Sequence, residues 1–145
     1  MENCGISRQT FYYHFNDISE MLTYAFRTET EAICKVQVVG KWMESAMLYA
    51  DFLTRYDNTL RKAARSDSFI FVYGLLYQSF YDYITSYITK KSGKDPLAAD
   101  EGRFAMACAA HSFSGLVVDE ITKEASDYEA LAEKIGNGFK LLPKA

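Results

Sequence analysis

The sequence predicts an all-α fold, and three observations support this prediction. Apolar residues recur at intervals of three and four along most of the chain, which is the period of an amphipathic helix. Neither proline, Pro96 nor Pro143, interrupts a long periodic segment. Of the 145 residues, 49% are hydrophobic and 15% aromatic, which is enough for one compact domain with a substantial core. We therefore expect helices rather than strands, although the β-branched and aromatic residues that favour strands are plentiful.

The first predicted element is a short helix that follows a turn at Gly5. Glycine tolerates the left-handed conformation that ends one helix, and Ser7 is a favourable N-cap for the next. Ile6 and Phe11 have the spacing of a hydrophobic staple across that cap. The outward side chains combine a cation, an amide, hydroxyls and phenols, which can reach phosphates or base edges in a major groove. From the residues alone, a DNA-reading helix and an ordinary capped surface helix both remain open.

The run from Gly5 to Phe15 resembles the recognition helix of the TetR/AcrR family of bacterial one-component regulators. That helix typically runs Gly-Val-Ser-x-x-Thr-hydrophobic-Tyr-x-His-Phe, and the matching positions are Gly5, Ile6, Ser7, Thr10, Phe11, Tyr12, His14 and Phe15. The resemblance implies that the protein binds operator DNA as a dimer and responds to a small-molecule effector. The DNA contacts that it implies come from Ser7, Arg8, Gln9, Thr10, Tyr12, Tyr13 and His14.

Two features depart from the family pattern. Ile18 stands where the family usually has a lysine that contacts a phosphate, and four residues precede Gly5 where the family has two helices. The resemblance therefore implies a truncated chain, with a partial helix-turn-helix over residues 1–16 and a regulatory, ligand-binding and dimerisation domain over residues 17–145. Arg8 is the only formal cation in residues 1–20, so we expect this segment to bind DNA weakly at physiological salt.

The next two helices are predicted from Asp17 to about Val39 and from Lys41 to Arg65, separated by Gly40. In the family, the first of these joins the DNA-binding module to the ligand-binding domain and transmits movement between them. Its predicted inner face consists of Met21, Leu22, Ala25, Phe26, Ile33 and Val36.

The most aromatic helix is predicted from Phe69 to about Lys91, after a capping segment at residues 66–68. Core packing explains any one of its aromatic residues, but together they favour a pocket, because phenols combine apolar area with a hydrogen-bonding group. The family encloses its effector among the corresponding helices. The predicted pocket residues are Tyr49, Phe52, Tyr56, Tyr73, Tyr77 and Phe80.

After a polar loop at residues 90–96, two more helices are predicted, from Asp100 to about Lys123 and from Ser126-Asp127 onwards. Small residues on the first allow another helix to approach closely. The two resemble the pair through which the family dimerises as a four-helix bundle. The candidate interface residues are Phe104, Cys108, His111, Leu131, Ile135 and Phe139. A monomeric bundle that packs the same residues internally is the alternative.

We expect neither an enzyme nor a cofactor or metal site. The chain has two histidines and no nucleophile-elbow, zincin or glycine-rich nucleotide motif. The carboxylate pairs Asp100-Glu101 and Asp119-Glu120 are expected to be solvated, because adjacent residues diverge on a helix. Three widely spaced cysteines and the lack of an evident membrane span predict a reduced, cytoplasmic protein.

Two hypotheses follow from the sequence. The first is a TetR-like transcriptional repressor whose partners are operator DNA, a small-molecule effector and a second copy of the chain. The second is a ligand-binding or interaction protein that has the TetR regulatory fold but has lost DNA binding.

Overall fold

The computed structural model describes the backbone of residues 8–141 and the side chains of residues 17–137. Over this range the chain is helical with short connections and contains no strand, which confirms the predicted all-α class. A short 3-10 turn, Pro96–Ala98, lies between the fourth and fifth helices. The helices are α1 (Arg8–Val36), α2 (Trp42–Arg55), α3 (Asp57–Arg65), α4 (Phe69–Ser92), α5 (Asp100–Ile121) and α6 (Tyr128–Leu141).

The helix α1 is continuous through Asn16-Asp17, where the sequence predicts a turn and a new helix. That predicted helix start is wrong. The segment from Arg8 to Val36 contains neither glycine nor proline, and an asparagine or aspartate costs a helix interior only about 0.7 kcal/mol relative to alanine. A turn would instead interrupt several backbone hydrogen bonds, so the helix continues.

The buried stripe of α1 is narrower than the sequence predicts. Leu22, Phe26 and Ile33 are buried, whereas Met21 and Val36 are exposed. The buried residues face α2 and α4, the two helices that pack against α1. The structure therefore confirms the centre of the predicted stripe and corrects its two outer members.

The helix predicted from Lys41 to Arg65 is divided at Tyr56 into α2 and α3. Tyr56 has φ −105° and ψ 8°, outside the helical region, yet its N–H still bonds the Phe52 carbonyl oxygen at 3.2 Å. Its own carbonyl oxygen accepts a 2.9 Å hydrogen bond from the Leu60 N–H. The chain thus bends with little loss of backbone hydrogen bonding. No glycine or proline marks the bend in the sequence.

The helix α4 lies at the centre of the bundle and packs against α1, α3 and α5, while α2 packs against α6. Its residues Val72, Leu76 and Phe80 join the main core. Gly93, with φ 71°, ends the helix in the left-handed conformation that glycine adopts without strain. The range of α4 agrees with the predicted aromatic helix.

The ranges of α5 and α6 also agree closely with the sequence prediction. The Asp127 carboxylate caps α6 by accepting the Ala130 N–H at 3.0 Å. Glu120 was expected to be solvated but is only 5% exposed, so that expectation is wrong. The connection between the helices covers Glu120, which accepts hydrogen bonds from the Asp127 N–H and from Lys123 Nζ, both at 3.0 Å.

By length and composition alone, α5 meets the minimum for a membrane-crossing helix, the one such helix in the described part of the chain. Its most apolar stretch has a mean hydropathy of 1.2, and 33% of that stretch is buried in the bundle. Length and composition are weak evidence for a membrane span, because a core helix of a bundle meets the same criteria. The helix α5 packs against α3, α4 and α6.

Candidate functional site

The residues predicted to contact DNA lie at the start of α1, outside the described side chains. Ser7 precedes the described backbone, and the positions from Arg8 to His14 form the beginning of α1. Their DNA contacts stay a prediction. The predicted DNA-contacting residues that lie outside the described side chains are Ser7, Arg8, Gln9, Thr10, Tyr12, Tyr13 and His14.

An apolar cavity of about 90 Å³ lies between α2, α4, α5 and α6. None of its lining residues carries a formal charge, and two wall tyrosines, Tyr49 and Tyr128, direct their hydroxyls to Ser79 and Asp57. The cavity is smaller than the roughly 300–1,000 Å³ of drug-sized ligand sites. Its wall consists of Trp42, Ala46, Tyr49, Ala50, Leu53, Phe80, Tyr83, Ile84, Phe113, Val117, Tyr128, Leu131, Ala132 and Ile135.

Of the six predicted pocket residues, Tyr49 and Phe80 line this cavity. Their ring centroids are 5.2 Å apart. Phe52 instead faces α1, where its ring meets Phe26 edge to face at 4.8 Å, and Tyr56 packs on Phe52 at 5.1 Å. Phe52 and Tyr56 therefore belong to the contact between α1 and α2 rather than to the cavity wall.

The other two predicted pocket residues, Tyr73 and Tyr77, lie on a different face of α4, beside His111 of α5. The Tyr73 hydroxyl is 2.8 Å from His111 Nδ1, and the Tyr77 ring centroid is 4.4 Å from that of His111. His111 is exposed and both tyrosines are half-buried. These three residues form a surface cluster, separate from the cavity, and desolvation among them raises the pKa of Tyr77.

Most of the cavity wall was missed by the sequence analysis. Trp42 is the only tryptophan of the chain, and it begins α2 at the edge of the cavity. Phe113 and Val117 lie one turn apart on α5, a spacing that marks an inward stripe, and the Phe113 ring is 5.7 Å from that of Phe80. This spacing was the feature of the sequence that could have identified Phe113 and Val117 as inward-facing residues. It did not show which helix the stripe would meet.

The six predicted dimer-interface residues fall into different environments. Leu131 and Ile135 of α6 line the cavity of their own chain. Phe104, Cys108 and His111 are exposed on α5, with 72% of Phe104 accessible. The side chain of Phe139 lies outside the described side chains. Leu131 and Ile135 are therefore half-buried at the cavity, while the α5 face is accessible in the single chain, and the dimer interface stays a prediction.

A chain of buried hydroxyls runs from the cavity wall to α1. The Tyr49 hydroxyl lies 3.0 Å from Ser79 Oγ on α4, which lies 2.6 Å from Thr30 Oγ1 on α1. Thr30 Oγ1 donates to the Phe26 carbonyl oxygen at 2.5 Å. Burial raises the pKa of Tyr49, so this phenol stays protonated at neutral pH.

The C-terminal end of α1 is held against α4 by a second set of polar contacts. Gln37 Nε2 donates to the Tyr83 carbonyl oxygen at 3.0 Å, and its Oε1 accepts from Ser86 Oγ at 2.8 Å. Lys90 Nζ donates to the Cys34 carbonyl oxygen at 2.6 Å, where a cation is favourable at a helix C-terminus. These contacts fix the end of α1 that is distant from the predicted DNA-binding run.

The cavity residue Tyr128 connects α6 to α3. Its hydroxyl donates to Asp57 Oδ1 at 2.5 Å, and Arg61 Nε donates to Asp57 Oδ2 at 2.8 Å. Arg61 also donates to Ser126 Oγ and to the Lys123 carbonyl oxygen. Partial burial opposes ionisation of Asp57, but the hydrogen bonds from Tyr128 and Arg61 outweigh it and lower the pKa of that carboxyl.

A wider groove of about 340 Å³ lies between α1 and α4. Its floor includes Phe26 and Leu75, and its polar residues include Arg27, Glu31 and Asp82. Thr30 and Ser79 line this groove as well, so the hydroxyl chain extends from the cavity wall to the groove.

Among residues 17–137, whose side chains the structure describes, no group of three or more His, Cys, Asp or Glu residues is placed to hold a metal ion. Comparison of the chain with protein-family models, with curated proteins and with solved structures finds no match.

Proposed function

We propose that this chain is a TetR-like transcriptional regulator, a cytoplasmic repressor that binds operator DNA as a homodimer and responds to a small-molecule effector. The observation that carries the proposal is the run from Gly5 to Phe15, whose order and spacing match the recognition helix of that family. The all-helical class of the bundle is consistent with it, whereas the continuation of α1 through Asn16-Asp17 departs from the separate recognition helix that the resemblance implies. Residues 1–16 then contain the DNA-contacting run, and residues 17–145 form the regulatory domain.

In this proposal the effector binds in the apolar cavity between α2, α4, α5 and α6. The wall offers no charged side chain to pair with an ionic ligand. Its aromatic rings suit flat or compact apolar groups, and its volume of about 90 Å³ suits a molecule with few heavy atoms. We therefore assign the effector to the class of small, uncharged, predominantly apolar compounds.

The second copy binds the exposed face of α5 in this proposal. Phe104, Cys108 and His111 lie on that face and are accessible in the single chain. Pairing two such faces about a two-fold axis would bury Phe104, the most exposed side chain among them.

Two observations favour the second candidate, a ligand-binding protein that has lost DNA binding. Ile18 replaces the lysine that the family uses near the end of its motif, and Arg8 is the single formal cation of residues 1–20. Both reduce the electrostatic attraction to phosphates, which supplies most of the sequence-independent affinity for DNA.

Selection of binding sites from random duplex DNA, followed by gel-shift titration at physiological salt, separates the two candidates. For a dimeric regulator we expect enrichment of an inverted repeat, because a two-fold protein binds two half-sites. Arg8→Ala and Gln9→Ala should each weaken binding to the enriched sequence about tenfold, through lost contacts to bases.

The matched control is Arg27→Ala, which removes an exposed arginine further along the same helix. It should leave the affinity for the enriched DNA unchanged. If no sequence is enriched although the chain is folded and dimeric by sedimentation, the second candidate is supported. Equal loss of binding in Arg8→Ala and Arg27→Ala would point to non-specific attraction and contradict base reading.

A further inference from the structure

The connection between α1 and α2 exposes a cluster of aliphatic side chains. Val36, Val38 and Val39 are 60%, 49% and 41% exposed. The Val38 carbonyl oxygen accepts a 3.1 Å hydrogen bond from the N–H three residues later, and Gly40 has φ 86°, so the chain turns tightly with Val39 near the tip. We refer to residues 36–40 as the valine turn. Surface turns consist mainly of glycine, proline and polar residues, so clustered valines here indicate an apolar contact outside the chain.

Polar contacts hold the valine turn in place against α4. The Gly40 N–H donates to the Tyr87 hydroxyl at 2.7 Å. Gln37, the one buried residue of the turn, bonds to Tyr83 and Ser86 at 3.0 Å and 2.8 Å. Because these two positions are fixed, the valines between and beside them are presented outwards in a defined arrangement. Binding a partner therefore requires little further ordering of this segment.

Cations lie on both sides of the valine turn. Lys35 and Lys41 flank it in the sequence, and both are exposed. Lys90 of α4 lies beside it, since its Nζ donates to the carbonyl oxygens of Cys34 and Gln37 at 2.6 Å and 3.4 Å. Among the described side chains, none of the three lysines forms an ion pair. Their positive charges are thus not neutralised by a carboxylate.

Most acidic residues at this end of the bundle lie on another side. Asp95, Asp100 and Glu101 belong to the connection after α4 and to the start of α5, and α1 does not pack against α5 in the described part of the chain. Glu31 and Glu44 are the acidic residues nearest in sequence, and each lies at least one helical turn away. The valine turn is therefore flanked by cations, although the whole chain has a net charge of −3.

The combination of exposed aliphatic groups and unpaired lysines favours one class of anionic partner. The backbone of a nucleic acid offers phosphates to lysines but no apolar layer to valines. An anionic bilayer offers both, because its charged headgroups lie directly above hydrocarbon. We propose that the valine turn docks on an anionic lipid surface, where its aliphatic side chains enter the headgroup layer and the flanking lysines pair with phosphate and carboxylate groups. This association goes beyond the proposed function and does not depend on it.

The test is flotation of the full chain with lipid vesicles of two compositions. One is phosphatidylcholine alone, and the other is an equimolar mixture of phosphatidylcholine and phosphatidylserine. We expect the chain to float with the mixed vesicles and to bind the neutral vesicles at least about tenfold more weakly. Binding to the mixed vesicles should fall as salt is raised, because the attraction of the lysines is screened.

Two double variants separate the apolar contribution from the electrostatic one. Val38→Thr with Val39→Thr keeps the branched shape and exchanges one methyl group for a hydroxyl at each position. It should weaken binding about tenfold at every salt concentration, because apolar burial is not screened. Lys35→Gln with Lys41→Gln should weaken binding about twentyfold at low salt and make the salt dependence shallower. Lys90 is kept, because it bonds the end of α1.

Matched controls change the same residue types away from the valine turn. Ile70→Thr alters an 83% exposed aliphatic residue in the first turn of α4, at the opposite end of that helix from Lys90. Lys62→Gln alters an exposed lysine of α3. Both controls should bind the mixed vesicles as the wild type does. Circular dichroism establishes that each variant is folded.

Three results would overturn the proposal. The first is a wild-type chain that does not float with the mixed vesicles. The second is unchanged binding by the valine variant, which would leave a purely electrostatic surface suited to a nucleic acid or an acidic protein. The third is an equal loss of binding in the controls. If the double valine variant does not fold, Val36→Thr decides the question. No outcome involves operator DNA, which the gel-shift titration tests separately.

Discussion

At the scale of single residues, two carboxylates, one half-buried and one buried, fix how the helices are joined. Asp57 accepts hydrogen bonds from Tyr128 of α6 and from Arg61 of its own helix. Glu120, at the end of α5, accepts the Asp127 N–H that precedes α6. Both carboxylates therefore hold α6 beside the cavity, and both do so in the ionised form.

These two carboxylates predict a loss of stability in acid. Burial opposes ionisation of Glu120, but the Asp127 N–H and Lys123 lower its pKa, and the pKa of Asp57 is also lowered. A carboxyl whose pKa is lower in the folded than in the unfolded state stabilises the fold. This stabilisation is fully present above the unfolded-state pKa and is lost as the pH falls through the folded-state pKa. We expect the free energy of unfolding, measured in urea, to fall below about pH 5 as the carboxylates begin to protonate.

Asp57→Asn should reduce that pH dependence and lower the stability at neutral pH by about 1–2 kcal/mol, because hydrogen bonds to a half-buried charge are weakened. The control Asp51→Asn removes an exposed carboxylate, 69% accessible, from a surface pair with Arg55. It should change the stability by less than about 1 kcal/mol. An unchanged pH dependence in Asp57→Asn would contradict the assigned role of this carboxylate.

At the scale of elements, α2 and α6 approach closely at one end of the cavity. Gly136 of α6 is buried, and a Cβ placed there would lie 2.8 Å from the Trp42 ring and 2.9 Å from Met43 Cε. The glycine therefore allows the contact between the two helices, at the cost of lower helix propensity.

Gly136→Ala should destabilise the protein even though alanine is the better helix former. We expect a loss of about 1–3 kcal/mol in thermal or urea unfolding, because Trp42 must move to admit the methyl group. The matched control is Gly74→Ala in α4, where a Cβ would meet nothing within 4 Å. That variant should gain about 0.5–1 kcal/mol. Equal stabilisation by both substitutions would show that α2 and α6 are not closely packed at Gly136.

At the scale of the whole molecule, the apolar surface is divided between the cavity that α2, α4, α5 and α6 line and an exposed face of α5. Leu131 and Ile135 of α6 turn into the cavity, whereas Phe104 of α5 stays 72% exposed. In the proposed dimer, α5 therefore supplies the contact between copies, and α6 contributes the residues that close the cavity. Dimerisation and effector binding then use different faces of adjacent helices.

Phe104→Glu should convert the proposed dimer to a monomer without unfolding it, because the side chain is exposed in the single chain and a carboxylate is costly to bury. Sedimentation equilibrium gives the oligomeric state, and circular dichroism gives the fold. Ile70→Glu, at an 83% exposed position of α4, is the matched control and should remain dimeric. A wild-type chain that is monomeric at micromolar concentration would contradict the assignment of α5 as the dimer face.

The helical class and the ranges of α4, α5 and α6 followed from the sequence, because helical periodicity, caps and breakers are properties of neighbouring residues. The sequence also contains the Gly5–Phe15 run, on which the proposed function depends. Both kinds of information are local, which is why they can be read without coordinates.

Only the tertiary structure decided which apolar faces meet. The spacing of Tyr73, Tyr77 and Phe80 on α4 was known, but Phe80 alone among them lines the cavity, because a stripe does not identify its partner helix. Neither the bend at Tyr56 nor the burial of Glu120 followed from the sequence, because no glycine or proline marks the bend and Glu120 is covered by the connection that leads to α6. The sequence thus determined the helices and their apolar residues, and packing determined the cavity and the hydroxyl chain from Tyr49 to Thr30.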